Sequence, residues 1–523
     1  MGVHKLEEIE SNEPEREKEV RTKDKKRIAV CSSSLGREGR ALIRGQVVDV
    51  GISDFMEADD LWNLMTGLFH GQENEITPFL DFSLAPVRKP VLSIEVCNEK
   101  GKKVFESQDF VGTEDGFFSY ELTHKIKAGI YTFSVIFKGS DSYRQYTKDI
   151  AYLNIKENSK ITKMTIVGMG KLRILSEKYN SFITTSDIDQ TYLATELGSK
   201  KGMLSTLFET PNQKFPLPGM PTFYKKLRED TKGSPLAFIS ASPHYFRRAL
   251  HATIRNHGIE MESLHLKYLD GTIKGVFDKV ISSVFNLNDL LKEGVGPAVE
   301  RTKKFFGSTY QSLFDQLTYK LTILLQDRLY QPTKAKEILL GDNTESDYLI
   351  FTLYQLILLG EISGQELEDY LYHMNFLGRD AVTRDNAKKI RKLGDECHTI
   401  HGKVNSVYAA LINMTSIGPM AVDMEEKVVN ALPKGMDLKK IKNFKMYIPT
   451  EGALGFATNL TGLGAMDFQS ILDVMMDMTG KWLNGKVLDD KYLISLSRHL
   501  SVIPKAQEHK DTLYEIVTKA LGE

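Results

Sequence analysis

Two carboxylates one residue apart, Asp187 and Asp189, close the run Phe182-Ile-Thr-Thr-Ser-Asp-Ile-Asp-Gln-Thr191. Acids in this pattern can take different tasks, one bonding to an electrophile and the other handling protons. The β-branched and aromatic residues before them predict a strand, which delivers both acids to the rim of a sheet, where open α/β folds place their ligands. Taken alone, the stretch reads equally well as a strand followed by an acidic turn. Other segments narrow the choice. Leu236-Ala-Phe-Ile-Ser240 ends its apolar run on the small hydroxyl of Ser240, and Glu337-Ile-Leu-Leu-Gly341 runs into Asp342, with Asp347 five residues further on. Between them, a helix predicted over 308–329 carries Leu313, Leu317 and Leu324 on one stripe, and Lys320 falls on that stripe too. A lysine on an inward face must snorkel or meet a carboxylate, and acids at the strand ends supply one. Each piece also has a plain structural reading: a strand-terminating serine, a snorkelling lysine, a Gly-Asp turn with an N-cap. Those plain readings do not account for the order in which the pieces occur.

The elements that must position these residues form the middle of a three-part pattern. Residues 1–38 are a charged leader with few apolar residues, expected to be solvated and disordered. From residue 39 to about 160, short alternating runs such as "ALIRGQVVDV", "VLSIEV", "GFFSYEL" and "AGIYTFSVIF", separated by "NEKG" and "TEDG" turns, predict an antiparallel β-sandwich. Over 175–362, strands at 182–186, 236–240, 264–269 and 337–341 alternate with helices at 221–231, 243–257, 308–329 and 346–360, as in a parallel sheet. Residues 363–523 show mainly three- and four-residue apolar spacing, which predicts an all-helical domain.

Bulk properties exclude several classes. The formal net charge of −1 provides no global basic field, so no nucleic-acid partner is expected. Cys31, Cys97 and Cys397 lie far apart, which argues against both a disulfide framework and a structural zinc site and points to a reducing compartment. The longest apolar run, Tyr348–Gly360, falls short of the ~20 residues that span a bilayer and reads as a buried helix. A cytoplasmic protein is the expectation, with a transient visit to a membrane surface if its substrate is a lipid.

Taken together, the four segments resemble the four motifs of the haloacid dehalogenase superfamily. More closely, "DIDQT", "FPLPGMPTFYKKL" (215–227), "FISASPHYF" (238–246) and "GDNTESD" (341–347) resemble the catalytic-domain family of the actin-patch-associated phosphatidate phosphatase. The resemblance covers roughly residues 179–360 and implies a haloacid dehalogenase-like domain, a Mg²⁺ cofactor and hydrolysis of a phosphate monoester through an aspartyl-phosphate. It implies Asp187 as nucleophile and Asp189 as general acid–base. Mg²⁺ would be bound by Asp187, the backbone carbonyl of Asp189, Asp342 and, through water, Asp347. Thr191, Ser240, Ala241 and Lys320 would bind the phosphoryl oxygens. Two departures stand out: Gln190 replaces the last acid of the family's Asp-Ile-Asp-Asp-Thr, and 274–307 is an extra segment, a candidate cap whose role the sequence leaves open. The implied substrate is phosphatidate or a related lipid phosphate. The rival readings are a phosphatase of soluble small molecules or phosphoproteins, and a binding or scaffold protein with a vestigial central domain.

Two further groupings invite a functional reading. Asp395, Cys397, His398 and His401 bring metal-ligand types together, with exposed helix polarity as the plainer reading. Met475, Met476, Met478 and Trp482 would make an adaptable apolar face, with ordinary core packing as the alternative.

Overall fold

The structure, a computed structural model, describes residues 26–50, 78, 85–140, 166–194, 209–268, 316–343, 346–376, 379–380, 382–414, 431–433, 436–449 and 452–483. The chain divides into two compact units, Met1–Ser176 with Tyr268–Thr309, and Glu177–Lys267 with Tyr310–Glu523.

The first unit holds one mixed sheet of ten strands: β1 (Lys26–Cys31), β2 (Ser34–Arg37), β3 (Arg40–Val50), β4 (Ala85–Pro86), β5 (Pro90–Asn98), β6 (Lys103–Glu106), β7 (Phe110–Val111), β8 (Phe117–Leu122), β9 (Gly129–Ser140) and β10 (Ile166–Leu175). Their order is β1-β3-β2-β10-β9-β5-β6, with β4 and β8 paired to β3 and β7 paired to β5. All pairings are antiparallel except β2 with β10. Alternate residues of these strands, among them Ile43, Ile94, Phe118, Phe133 and Leu172, bury into a single apolar cluster. Period-two patterning is what allows one face of each strand to do this.

Two expected boundaries need correction. The leader does not run to residue 38: Lys26–Cys31 and Ser34–Arg37 are strands, held by ladder bonds to β3 and β10. The lysines and arginines flanking "IAV" obscured a short strand whose Ala29 is buried in the core. The sheet also passes residue 160, because β10 completes it.

The second unit is built on a five-stranded, fully parallel sheet of β11 (Phe182–Asp187), β12 (Leu236–Pro243), β13 (Ser263–Lys267), β14 (Lys336–Asp342) and β17 (Val407–Asn413), in the order β13-β12-β11-β14-β17. A separate small hairpin, β15 (Asn375–Phe376) with β16 (Arg379–Asp380), lies between β14 and β17 in the chain. The described α-helices of the unit are α1 (Met220–Asp230), α2 (Arg247–Asn256), α3 (Gln316–Tyr330), α4 (Asp347–Leu359), α5 (Gly364–His373), α6 (Arg384–His401), α7 (Ala453–Gly462) and α8 (Phe468–Leu483). From β11 the chain moves outward through β12 to β13, then returns to the other side of β11 with β14. The switch point therefore lies between β11 and β14, and an open α/β sheet forms its ligand crevice at such a point.

Among the described residues, 363–523 is not the all-helical stretch expected. β17 hydrogen-bonds along β14, α6 packs on α3, and α7 and α8 pack on α1. "VYAALIN" is a strand buried on both faces, and such a strand reads as a continuous apolar run that periodicity alone cannot tell from a helix. Gly219, at φ 76°, comes so close to α8 that an added Cβ would lie 2.5 Å from Met478 Cγ. Met475 and Met478 are core residues while Met476 is exposed, and the side chain of Trp482 lies outside the described residues. α4 is buried along almost its whole length, and no described helix is long and apolar enough to cross a membrane. The segment 274–307, the candidate cap, also lies outside the described residues.

If β17 belongs to this unit, Leu411→Ala should lower stability by roughly 2–5 kcal/mol, as for other fully buried leucines. A urea transition that resolves into two steps, with the site-bearing step unmoved, would show that the C-terminal third folds on its own.

Candidate active site

Asp187 ends β11 and Asp342 ends β14, on either side of the switch point. Asp347 opens α4, where a carboxylate gains from the partial positive charge of a helix N-terminus. Oxygens of these three acids lie within 4.8 Å of one another, and all three residues are buried. Lys320, buried on α3, places its Nζ 2.7 Å from Asp187 Oδ1 and 2.7 Å from Asp347 Oδ1. The stripe of the predicted helix therefore carries the lysine inward to two carboxylates.

Gly341 makes this geometry possible. A Cβ at position 341 would lie 2.6 Å from Asp347 Oδ2 and 2.8 Å from its Cβ, so any larger residue would push Asp347 away.

The second acid of the pair has different surroundings. Asp189 Oδ2 accepts hydrogen bonds from Ser240 Oγ at 2.8 Å and Ser242 Oγ at 3.0 Å, and the Ser242 amide donates to Ser240 Oγ at 2.9 Å. Thr191 Oγ1 donates to Asp342 Oδ2 at 3.2 Å. Thus the structure gathers Asp187, Asp189, Thr191, Ser240, Lys320, Asp342 and Asp347 at the C-terminal ends of the strands, and half-buried Ala241 sits between the two serines. The hydroxyls of Thr191 and Ser240, expected on the phosphoryl oxygens, are here engaged with carboxylates. The Asp189 carboxylate is not part of the three-acid group.

Three residues that sequence reasoning did not single out support this arrangement. Tyr224 of α1 lies 2.6 Å from Ser186 Oγ, which donates to the backbone carbonyl of Asp187 at 2.9 Å. Burial, reinforced by the charge of Asp187 and only partly offset by the Ser186 hydrogen bond, pushes the Tyr224 hydroxyl well above its ordinary range. The phenol therefore keeps its proton and donates, which anchors the strand end that carries Asp187. Ser242 was within reach of sequence reasoning, being the second serine of the Ser-Ala-Ser run that follows the apolar residues of β12. Nothing in the sequence marks Tyr224.

The three-acid group also fits a metal. Three ionised carboxylates beside one ammonium leave two negative charges in excess in a buried place, an arrangement that is costly without a counter-ion. Asp347 Oδ2 is buried with no hydrogen-bond partner, the kind of atom a cation or its water would satisfy. An all-oxygen donor set suits a hard divalent cation. Among the described residues no other group of acids, histidines or cysteines meets the same test. Asp395, Cys397, His398 and His401 instead take separate partners in Arg391, Leu325, Ile357, and Arg328 with Thr333.

Residues 182–293 match the family described as phosphatidate phosphatase APP1, catalytic domain. The segment is similar to that family. The chain therefore carries a catalytic domain of the phosphoric monoester hydrolase class. The match takes in Asp187, Asp189, Ser240 and Ser242, while Lys320, Asp342 and Asp347 lie beyond it. No curated protein matches the chain. Among solved structures, the CARDB domain of a Pyrococcus furiosus protein in complex with di-metal ions is 8% identical, covering 29% of this chain and 89% of that one at a TM-score of 0.14. A β-glucuronidase of Ruminococcus gnavus is 10% identical, covering 81% of this chain and 54% of that one at a TM-score of 0.20. At these scores neither likeness bears on fold or function.

Two variants probe the support of the site. Tyr224→Phe should cost about 1 kcal/mol in denaturant unfolding, the usual net worth of one hydrogen bond, because it leaves Ser186 without its donor. Gly341→Ala should lower turnover at least tenfold, about 1.4 kcal/mol in barrier, by displacing Asp347. Wild-type rates for Gly341→Ala would mean that Asp347 has no part in the chemistry.

Proposed function

We propose that this protein is a Mg²⁺-dependent phosphatase that hydrolyses a lipid phosphate monoester, phosphatidate or a close relative, through an aspartyl-phosphate on Asp187. The observation that carries the reading is the pairing of Asp187 and Asp347 with buried Lys320 at the switch point, with Asp342 beside them. In this reading the second unit has the haloacid dehalogenase-like fold and the N-terminal sheet closes on its shared core as a β-sandwich. The wide separation of Cys31, Cys97 and Cys397 along the chain accords with a cytoplasmic location.

Asp187 attacks phosphorus, and the departing oxygen takes a proton from Asp189, which later withdraws one from the attacking water. Lys320, the Ser240 hydroxyl and the backbone amides beyond Asp187 hold the phosphoryl oxygens, where negative charge builds up. For this the hydroxyls of Ser240 and Thr191 turn from their carboxylate partners toward the phosphoryl group, as a hydroxyl rotor permits. Asp187, Asp342 and Asp347, with the backbone carbonyl of Asp189, would hold the divalent cation, which offsets the charge of a phosphate dianion brought among carboxylates.

The lipid substrate rests on the family description. It is supported by Phe215, a 69% exposed aromatic on the segment that pairs with Leu193 and Ala194, just past Asp189. An acyl chain or a membrane surface would find an apolar contact there. Remote binding of this kind helps position the reacting phosphate, so removing the acyl chains should lower kcat/KM.

Asp187→Asn should abolish turnover of p-nitrophenyl phosphate, and EDTA should do the same to the wild type. Retention of a tenth or more of kcat by Asp187→Asn would remove Asp187 as nucleophile. Phosphatidate in mixed micelles should exceed glycerol 3-phosphate and a phosphopeptide in kcat/KM. The reverse order would leave a phosphatase of soluble substrates.

A further inference from the structure

Ser242 is a half-buried residue to which the reaction outlined above gives no task. Its place in the fold is unusual. β12 keeps regular register with β13 as far as Ser240, opposite Leu266, and the register then jumps so that Pro243 stands opposite Lys267. The irregularity puts extra chain at Ala241 and Ser242, and bulges of this kind re-aim a side chain beside a site. Here the Ser242 hydroxyl is aimed at Asp189 Oδ2, 3.0 Å away, and its amide at Ser240 Oγ, 2.9 Å away.

We infer that Ser242 is a positioning residue for the proton-transfer step, fixing Asp189 so that Oδ1 is the oxygen that exchanges protons with substrate. The reasoning starts from hydrogen-bond capacity. A serine hydroxyl has one proton to give, and both Ser240 and Ser242 direct theirs to Oδ2 of the same carboxyl group. With Oδ2 taken up by these donors, Oδ1 is the oxygen left free to face the substrate. The two donors also restrict rotation of the carboxyl group, which holds Oδ1 in one direction. When Asp187 bonds to phosphorus, the ester P–O bond breaks and its electron pair stays on the leaving oxygen. That oxygen takes the Oδ1 proton to become an alcohol, and Asp189 is left as a carboxylate whose Oδ2 is already held. When Ser240 turns to a phosphoryl oxygen in the substrate complex, the Ser242 hydroxyl remains as the restraint on Asp189.

This inference rests on the proposed phosphatase reading and can fail separately from it. The test measures kcat/KM, which reports steps up to leaving-group departure, for wild type, Ser242→Ala and Ser242→Thr on p-nitrophenyl phosphate and on glycerol 3-phosphate. p-Nitrophenolate departs readily without a proton, whereas an alkoxide does not. The expected result is that Ser242→Ala loses at least tenfold more kcat/KM on the alkyl phosphate than on the aryl phosphate, and that Ser242→Thr, which keeps a hydroxyl, recovers most of the difference. Equal losses on both substrates, or no loss on either, would overturn the positioning role while leaving the phosphatase standing. A wild type inactive on both soluble phosphates and on phosphatidate would refute the phosphatase reading itself.

Discussion

The second unit turns on one buried ammonium. Lys320 stands between Asp187 and Asp347 at 2.7 Å from each, in a place that solvent barely reaches. Buried charges persist when paired, and removing one partner leaves the others uncompensated. This requirement ties three elements together, because α3, the end of β11 and the first turn of α4 have to meet within hydrogen-bond distance. It also explains why α3 carries a lysine on a face that is otherwise leucine. Acids of the same sign remain in excess around it, so the arrangement is poised to accept positive charge or, once that is in place, a phosphate.

Meeting that requirement constrains the backbone. β14 ends on Gly341-Asp342, and only the missing side chain of Gly341 lets Asp347 return beside the strand that precedes it. β11 is fixed from the opposite side by the Tyr224 and Ser186 hydroxyls, which reach the carbonyl of Asp187. Around these strand ends lies one continuous core formed by Ile338, Leu340, Ala409, Leu411, Phe456 and Met475 among others, drawn from both the central and the C-terminal thirds of the chain. The C-terminal third is therefore part of the frame that keeps β14 in place.

Much of the site could be read from sequence because the chemistry restricts residue type: Asp187, Asp189, Ser240, Lys320, Asp342 and Asp347 each sit at an element end or on a face that local patterning predicts. The parallel strands β11, β12, β13 and β14 could be read for the same reason, as short apolar runs ending on small or acidic residues. What escaped depends on nonlocal contact. β17 has the residues of a helix as much as of a strand, and its ladder with β14 decides the matter. β1 and β2 hide within a charged flank that is ordered by pairing with β3 and β10. Tyr224 is an ordinary aromatic of an amphipathic helix until its hydroxyl is found against Ser186.

The spacing of the two aspartates has a physical explanation. Asp187 is the last residue of β11, so its side chain stands in the row defined by the sheet and faces Lys320 and the acids of β14 and α4. Asp189 lies just past the strand end, where the chain turns sharply: Gln190 takes a left-handed φ of 57°, and the amides of Tyr192 and Leu193 both return to the carbonyl of Ile188. That turn carries Asp189 to the serines of β12, away from the ammonium. Left-handed backbone is tolerated better by Asp or Asn than by most side chains, so glutamine at position 190 accepts some strain in a turn that the site needs. An adjacent pair could not be separated in this way, since both residues would share the strand's end. A wider gap would place the second acid beyond reach of the same phosphate. With one residue between them, one carboxylate faces cations and the other faces hydroxyl donors, an electrostatic contrast suited to a nucleophile beside a proton carrier.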